Sequence, residues 1–522
     1  MADLPLPPVW PTVVHMLADA ARRRPDALAL VCGEDRLSYR AYAACVADLA
    51  LELHARGIGA GARAALLMAN SADIAVATFG VQAAGAQVVP LNPAYTAAEL
   101  GPMLLDADPA LVVCDAAVVP TLEAVANAGF RLAPSARVVV GEAAGERRLA
   151  ARRHDADGVD RLPLPDAAAL STLQYTGGTT GRAKGVDLAH AAVAVNVSQR
   201  EALVSTTIDD ERVLVVTPLF HVYAVAMGLY LAAYARGTLV VLPRYRPEAV
   251  LEAIARERIT LLAASPTVLS GLLACAAFES ADLSSLRLAT SGASALPEAT
   301  LARWESATGC PVLEGYGQSE AGPVIAYNPR RGLRKVGTVG LALPRTEIEI
   351  VDVATGSVPQ PAGAEGEIRV RGPQLMRGYR ARPQETAEAL RDGWLHTGDV
   401  GAFDADGYLR ICGRRKEMAI VSGYNVYPRE VEEVLCAHPQ VREAAVVGVP
   451  DAHRGEALVA HVVAAPGAAL DTEALRAWLG ERLVRYKVPG AIVVVEALPK
   501  TAVGKVDKAA LRAAPARSPA GT

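Results

Sequence analysis

A glycine- and threonine-rich segment, LQYTGGTTGRAKGV from Leu173 to Val186, follows an apolar, β-prone run of the chain. Its four glycines allow positive φ and a close approach to a ligand, while three threonines, Arg182 and Lys184 add hydroxyl donors and positive charge. Together with backbone N–H groups, these residue types are suited to bind phosphate. We therefore predict a loop that binds a nucleoside triphosphate. Its expected ligands are Thr176, Gly177, Gly178, Thr179, Thr180, Gly181 and Lys184.

This loop differs from the phosphate-binding loop of P-loop kinases and GTPases. Their motif requires a Ser or Thr directly after the lysine, because its hydroxyl binds magnesium. Here Lys184 is followed by Gly185 and Val186, so that hydroxyl is missing. A kinase or GTPase of this kind is disfavoured, and a glycine-rich surface turn is the structural alternative.

The elements around the loop indicate an α/β fold. From the N-terminus to roughly Pro311, short Val- and Leu-rich runs alternate with Ala-rich helical segments, as in an α/β sheet. From about Gly340, TEIEIVD and GEIRVRG alternate charged and apolar residues, which is typical of half-exposed antiparallel strands. A helix beginning near Pro428 and three later strand-like runs then indicate a compact α+β unit.

The chain, at 522 residues, is too long for one ordinary core. We predict a large N-terminal domain over residues 1–413, with a β-rich subdomain at about 340–413. A small C-terminal domain is predicted over residues 414–522. Within the first domain, Thr96 and Glu99 are spaced as a capping box that begins a helix.

Composition excludes several classes of protein. The formal net charge is −4, and no sustained basic stripe is present, so nucleic acid is not expected as a partner. Seven scattered cysteines without a C-x-x-C motif read as reduced thiols, and the N-terminus lacks a signal-peptide pattern. The uncharged run from Val213 to Ala235 is interrupted by Pro218, so no transmembrane segment is predicted. We expect a cytoplasmic protein, either a monomer or a homodimer.

Five motifs in order resemble the adenylate-forming superfamily, which includes acyl-CoA synthetases, adenylation domains and luciferases. They are YTGGTTGRAKG, EGYGQSE (Glu314 to Glu320), GWLHTGD ending at Asp399, GRRKEMAIVSGYNVYP, and LPKTAVGKVDK with Lys505. The resemblance extends over essentially the whole chain. It implies a large N-terminal domain and a mobile C-terminal lid. It also implies ATP, Mg²⁺ and coenzyme A, and a reaction that forms an acyl-adenylate from a carboxylic acid and then a thioester.

The resemblance assigns expected roles residue by residue. It implies Lys505, His221 and Glu320 as catalytic residues, Glu320 and Thr179 as magnesium ligands, and Asp399 with Arg414 at the ribose. Lys416 is the implied hinge of a lid rotation that replaces Lys505 by a loop at the pantetheine channel. The residues implied in nucleotide binding are Ser291, Gly292, Ala293, Ser294, Glu314, Gly315, Tyr316, Gly317, Gln318 and Ser319. Those implied in coenzyme A binding are Ser422, Gly423 and Tyr424.

Two other functions are compatible with parts of this sequence. Gly317 to Ala321 imitates the nucleophile elbow of a serine hydrolase, with Ser319 as nucleophile, but that reading leaves the phosphate loop unexplained. A catalytically silent binding homologue is a second alternative. Within the resembled superfamily, PLFHVYAVAMG lacks the acid that usually pairs a substrate ammonium, so an amino acid is disfavoured.

The expected substrate is a hydrophobic carboxylic acid, best a medium- or long-chain fatty acid. An aryl or phenylpropenoic acid is the alternative, since GQSEAGPV looks more like the coumarate-CoA ligase branch. No arginine is evident for a second carboxylate in these motifs, although another part of the fold could supply one. The expected pocket residues are His221, Tyr223, Val225, Ser291, Ala293, Gly315, Gly317, Ala321 and Val324.

Overall fold

The computed structural model describes residues 5–130, 132–141, 148–151, 159–176, 183–422, 424–451, 453–501 and 505–513. Its helices are α1 Val13–Arg23, α2 Tyr39–Ala55, α3 Ala72–Ala83, α4 Ala97–Ala107, α5 Val119–Asn127, α6 His190–Val204, α7 Val222–Ala224, α8 Leu231–Tyr234, α9 Pro247–Glu257, α10 Pro266–Leu273, α11 Glu298–Thr308, α12 Pro383–Ala389, α13 Pro428–Cys436, α14 Thr472–Gly480 and α15 Lys508–Ala513. A π-helical segment, Val225–Tyr230, joins α7 to α8.

The strands alternate with these helices along the chain. They are β1 Leu28–Cys32, β2 Asp35–Ser38, β3 Arg63–Leu67, β4 Gln87–Pro90, β5 Leu111–Asp115, β6 Arg137–Val140, β7 Leu170–Thr176, β8 Lys184–Ala189, β9 Arg212–Val215, β10 Thr238–Val241, β11 Leu261–Ala264, β12 Leu288–Ser291, β13 Val312–Gly317, β14 Val324–Tyr327, β15 Leu341–Ala342, β16 Glu347–Val351, β17 Gly366–Arg371, β18 Gly378–Tyr379, β19 Leu390–Arg391, β20 Trp394–Phe403, β21 Leu409–Arg414, β22 Ala419–Val421, β23 Tyr424–Val426, β24 Val441–Asp451, β25 Gly455–Ala464 and β26 Ala491–Val494.

Two mixed sheets form most of the N-terminal part. One has the order β18-β8-β7-β4-β3-β5-β6, and the other has the order β15-β14-β13-β12-β11-β9-β10-β1-β2. Most of the neighbouring strands in both sheets pair parallel, for example β3 with β4 and β11 with β12. In α/β sheets, ligands bind outside the carboxyl ends of such strands. The segments that follow β9, β12 and β13 therefore mark the region where a site is expected.

Helix α6 lies between the two sheets, against β7, β8 and β14. Two of its polar side chains form hydrogen bonds inside the protein: Asn196 donates to the carbonyl of Val324 over 2.8 Å, and Gln199 donates to the carbonyl of Pro344 over 2.8 Å. Nearly every residue of α6 is buried, including Arg200 and Glu201. A helix with both faces covered must bury polar as well as apolar side chains.

The β-rich and α+β parts follow as predicted. Strands β16 and β17 pair antiparallel, and β17 pairs antiparallel with β20. After them, β23-β22-β25-β24 form a separate sheet, with β26 beside β25. Helices α13 and α14 cover this sheet with Val431, Leu435, Leu475 and Leu479. The predicted fold class is confirmed, and α13 begins at Pro428, where the sequence predicted a helix.

A small apolar cluster joins the N-terminal part to the C-terminal unit. Val400 and Cys412 lie on β20 and β21, and Tyr427, which precedes α13, packs on them. Val353 and Met418 complete this group, which we call the interdomain cluster. Through this cluster, the start of α13 packs against the N-terminal part of the molecule.

Two further local predictions are confirmed. Thr96 and Glu99 form a reciprocal capping box at the start of α4, which satisfies the first free N–H groups of that helix. The uncharged run from Val213 to Ala235 divides into β9, α7, the π-helical segment and α8. Among the helices that the structure describes, none combines the length and the apolar character that a membrane span requires.

Candidate active site

The phosphate loop connects the two strands of an antiparallel hairpin. Strands β7 and β8 pair so that Thr176 and Lys184 face each other at the end where the loop joins the strands. Both loop ends are thereby fixed on the sheet. The predicted ligands Gly177, Gly178, Thr179, Thr180 and Gly181 fall outside the described residues, so their roles remain predictions.

Lys184 and Glu320 are connected through Tyr379. The ammonium of Lys184 lies over the ring of Tyr379, 4.8 Å from its centroid, and the Tyr379 hydroxyl donates to Glu320 Oε1 over 2.9 Å. Tyr379 is on β18, which pairs with β8 beside the hairpin. Burial raises the pKa of Glu320. The nucleotide motif therefore lies next to the base of the phosphate loop, and Tyr379 is a site residue that the sequence analysis missed.

Asp399 is held by two partners from two other strands. Tyr316 donates its hydroxyl to Asp399 Oδ2 over 2.6 Å, and Arg414 Nε lies 3.3 Å from Asp399 Oδ1. Asp399 and Arg414 are direct partners in the β20–β21 pairing. Burial raises the pKa of Asp399, and the charge of Arg414 opposes the rise. The predicted ribose pair is thus assembled by strand register.

Lys505 comes from the end of the chain to this same place. The backbone N–H of Thr501 donates to the carbonyl of Lys505 over 2.6 Å. Burial lowers the pKa of Lys505, the nearby charge of Arg414 lowers it further, and Asp399 acts in the opposite direction. Lys505 also contributes, after burial, to lowering the pKa of His221 to about 3. His221 is therefore neutral at physiological pH.

Glu314 supports the turn after β12 with its side chain. Its Oε1 accepts a hydrogen bond from the N–H of Leu296 over 3.1 Å. Burial raises the pKa of Glu314 to about 7, although Arg429 opposes this. The turn begins with Ser291, Gly292, Ala293 and Ser294, and Ala293 has φ of +71°. Glu314 thus joins the two predicted nucleotide segments.

The serine hydrolase alternative lacks its structural context. A nucleophile elbow requires a strand, a sharp turn and a helix. Here β13 ends at Gly317 and is followed by a short 3₁₀ turn, Ser319–Ala321, and then by the antiparallel strand β14. Gln318 and Ser319 belong to this connection. The nucleophile elbow is therefore not formed.

Several of the predicted pocket residues are packed in the core, and one of them, Val225, lines a cavity. Tyr223 is packed into the core, where its hydroxyl bonds Thr290 Oγ1 over 2.9 Å, and its ring lies against Gly292. Gly315 likewise gives room to the ring of Tyr327, and Ala321 and Val324 are buried. Among the predicted pocket residues, Val225 alone lines the slot between the two sheets.

A narrow slot lies between the sheets, and its lining includes Leu219 and Val222 on either side of His221 in the sequence. Its free volume is about 30 Å³, so the side chains around it must move apart before a ligand larger than water can enter. Its lining is mainly apolar, and it includes one cation, Arg200, which the sequence analysis did not select. The lining residues are Thr78, Val88, Pro90, Thr172, Gln174, Leu188, Val193, Val197, Arg200, Leu219, Val222, Val225, Ala226, Tyr230, Gly322 and Pro323.

The predicted hinge lies in a tight turn after Arg414. The N–H groups of Glu417 and Met418 both donate to the carbonyl of Arg414, at 2.9 and 3.1 Å, so the turn encloses Lys416. The predicted coenzyme A loop follows on the surface. Ser422 has φ of +53°, Tyr424 is 56% exposed and stacks on Tyr486, and Gly423 is outside the described part of the chain.

Comparison with known proteins agrees with this arrangement. Residues 17–380 match the AMP-binding enzyme family, and residues 430–505 match the AMP-binding enzyme C-terminal domain. A long-chain-fatty-acid–CoA ligase of Bacillus subtilis is 36% identical, over 97% of this chain and 94% of its own. A feruloyl-CoA synthase of Amycolatopsis sp is 38% identical, over 94% and 96%.

A solved structure carries the same architecture. ATP-bound MatB from Rhodopseudomonas palustris superimposes with a TM-score of 0.86 at 32% identity, covering 96% of this chain and 98% of MatB. The resemblance predicted from the five motifs is confirmed, and the expected cofactors, ATP, Mg²⁺ and coenzyme A, are those that this group of enzymes uses. The chain belongs to the AMP-binding enzyme family, in its acyl-CoA synthetase branch.

Proposed function

We propose that the protein is an AMP-forming ligase that joins a hydrophobic carboxylic acid to coenzyme A, with a straight medium- or long-chain fatty acid as the best candidate. The acid and ATP give acyl-adenylate and pyrophosphate, and the adenylate and coenzyme A give acyl-CoA and AMP. The observation that supports this most is that Lys505, near the end of the chain, lies within electrostatic reach of Asp399 and His221 of the larger part.

In the first half-reaction, a carboxylate oxygen attacks the α-phosphorus and pyrophosphate leaves. Negative charge accumulates around the phosphorus, so catalysis depends on positioning and on fixed positive charge. Lys505 would supply that charge next to the reacting atoms. Asp399 would accept hydrogen bonds from the ribose hydroxyls, and Arg414 would fix the orientation of that carboxylate. Neutral His221 would border the acid without adding a competing charge.

The donor set fits a magnesium ion that is held mainly by phosphate oxygens. Among the described residues, no group of three or more His, Cys, Asp or Glu side chains converges. A single carboxylate with substrate phosphates is a common arrangement for Mg²⁺. Glu320, whose Oε1 is already fixed by Tyr379, would hold the ion together with Thr179. The ion would neutralise charge on the phosphates.

In the second half-reaction, the thiol of coenzyme A attacks the acyl carbonyl and AMP leaves. Lys505 in its present place would obstruct the thiol, so the C-terminal unit must turn away. We place the pivot at Lys416, within the turn closed by Arg414, and the mobile unit at residues 414–522. Ser422 and Tyr424, which are now exposed, would then reach the site together with Gly423.

An aryl or phenylpropenoic acid is the second candidate, because the feruloyl-CoA synthase of Amycolatopsis sp is 38% identical. The narrowness of the slot favours a flexible chain over a planar ring. A panel of straight-chain, aromatic and phenylpropenoic acids should be assayed for pyrophosphate release, with and without coenzyme A. The proposal requires AMP and acyl-CoA from straight-chain acids. ADP and orthophosphate as products would reject it.

The proposal also includes a location in the cytoplasm and a state of assembly. The seven cysteines are free thiols, and five of them are buried, which supports action in the cytoplasm. The state of assembly is predicted to be a monomer or a homodimer. Its molar mass in solution, measured by light scattering, distinguishes these two states.

A further inference from the structure

The slot has a defined direction, away from the candidate active site. On β7, Gln174 lies two residues and Thr172 four residues before Thr176 at the phosphate loop. Gln174 donates to the carbonyl of Phe220, next to His221, over 3.4 Å. Thr172 is therefore deeper in the slot than Gln174, since side chains two residues apart on a strand lie on the same face.

The residues of helix α6 that line the slot also indicate that it runs away from the candidate active site. Val193, Val197 and Arg200 line the slot, and their spacing of four and three residues places them on one face of the helix. Asn196 bonds Val324, near the nucleotide motif. Arg200 lies one turn further on, within electrostatic reach of Tyr327. With a rise of 1.5 Å per residue, the slot follows α6 for roughly 10 Å.

Arg200 lies at the far end of the slot, and part of its guanidinium group has no hydrogen-bonding partner among the described residues. It is 1% exposed, and within the described residues its Nε and Nη2 atoms have no hydrogen-bonding partner. Burial lowers its pKa to about 10, so it is still a cation at physiological pH. A buried guanidinium with unsatisfied N–H groups is costly, and a ligand that accepts from them is one explanation for its presence.

The charge of Glu201 favours ionised Arg200, but Glu201 is not seen to form a salt bridge with it. Glu201 is adjacent in sequence, but neighbouring residues project from a helix in directions about 100° apart. Its Oε1 already accepts hydrogen bonds from the N–H and hydroxyl of Thr206, at 2.6 and 2.8 Å. No described carboxylate forms an ion pair with Arg200 within 4.0 Å. Tyr230, whose hydroxyl accepts from Gln82 over 2.7 Å, adds a polar group to the same end.

We propose that Arg200 binds the distal carboxylate of a medium-chain α,ω-dicarboxylic acid, whose other carboxylate is activated at Lys505. This rests on the proposed acid–CoA ligase function, and it replaces the unsubstituted fatty acid by its ω-carboxylated counterpart as the best substrate. The apolar side chains between His221 and Arg200 would contact the methylene chain. Arg is suited to the distal group because its fork of donors matches a carboxylate.

The length of the slot limits the length of the acid. An extended chain advances about 1.2 Å per bond, since a peptide advances about 3.5 Å over its three bonds per residue. A span of roughly 10 Å therefore holds about eight bonds. Octanedioic and decanedioic acids are the diacids closest to this length, with octanoic and decanoic acids as their monocarboxylic counterparts.

The test compares each diacid with its matched monoacid by kcat/KM for AMP formation. Wild type should prefer the diacid by about 10- to 100-fold, as expected for a hydrogen-bonded charge in a buried site. Arg200→Met should abolish or invert this preference, and Arg200→Gln is a second neutral variant in case the first fails to fold. Arg200→Lys should retain part of it. Arg303→Met, an equivalent change on the exposed face of α11, should leave it unchanged.

Binding gives a separate readout. In the presence of α,β-methylene-ATP, octanedioic acid should raise the Tm of wild type and of Arg303→Met, but not of Arg200→Met. The inference is overturned if wild type uses the monoacid or the ω-hydroxy acid as well as the diacid, or if Arg200→Met keeps the preference. If no acid yields AMP, the proposed function fails, while the Tm result still decides whether Arg200 binds the diacid.

Discussion

Lys508 donates a hydrogen bond to Glu417 over 3.1 Å, so the segment that carries Lys505 is tied to the turn that contains Lys416. The same ammonium lies 2.8 Å from Glu432 on α13. These two carboxylates raise the pKa of Lys508 against the effect of burial. The three side chains make the hinge turn, α13 and the terminal lysine segment one mechanical unit.

Lys508→Met should slow adenylate formation by about 10-fold, because Lys505 loses the support that aligns it and misplacement of a reacting group is costly. Glu417→Gln should have a similar effect, and the double variant should be little worse than either single one. Pre-steady-state pyrophosphate release measures the step. Additive losses would show that the two residues act separately.

Lys505→Ala should reduce adenylate formation by about 10² to 10³, the usual cost of removing an aligned charge from a closed site. Conversion of a supplied acyl-adenylate to acyl-CoA should be largely retained. The matched control is Lys500→Ala, which changes a lysine of the same terminal motif that is paired with Glu443. This variant should leave both half-reactions intact. Equal losses in both half-reactions of Lys505→Ala would refute the assigned role.

Lys416→Pro should block the transfer to coenzyme A while adenylate still forms and accumulates. Proline fixes φ near −65° and restricts the residue before it, which prevents rotation at this turn. Lys416→Ala removes the charge but leaves the backbone free, and should transfer substantially faster. Single-turnover measurement of each half-reaction separates them. An unaffected proline variant would assign the pivot to another residue.

Glu314→Gln should change the pH dependence of stability. The pKa of Glu314 is raised to about 7 in the folded protein, so folding favours the protonated form. Wild-type stability then falls as pH rises from about 4.5 to 7, by up to about 3 kcal/mol. Glutamine keeps the acceptor for Leu296 but does not ionise.

The variant should therefore gain stability relative to wild type when the pH is raised from 5 to 8. Unfolding by denaturant at both values measures the free energy of unfolding. Glu305→Gln, which changes a carboxylate that accepts from the N–H of Val312, is the comparison. A constant difference between Glu314→Gln and wild type at the two pH values would show that Glu314 is ionised throughout.

The motifs of the site were readable because each occupies a short connection whose residue types are set by local chemistry. The glycine loop between Thr176 and Lys184 and the Pro428 start of α13 are of this kind. The partners of Asp399 depend on strand register, which brings in Arg414, and on a different sheet, which brings in Tyr316. Such pairings are tertiary and leave little trace in local sequence.

Arg200 was overlooked for a related reason. In NVSQRE, from Asn196 to Glu201, consecutive polar residues resemble a solvated helix face. The segment is buried because a sheet covers each side of α6, and that packing is decided by strands distant in sequence. A signal was present nonetheless: the residues before it, HAAVAV, are apolar on more than one face of the helix, as in a helix that is covered all round.

The interdomain cluster has a thermodynamic consequence. Tyr427 and Met418 reach across to Val400 and Cys412, whereas the C-terminal unit has a larger core of its own, with Val431 and Leu475 among its members. Separating so small a contact costs little compared with unfolding either unit. The two orientations of the unit would thus be close in free energy, and differential affinity for ATP or coenzyme A would determine their populations. Substrate binding, more than the strength of the joint, would set the order of the two half-reactions.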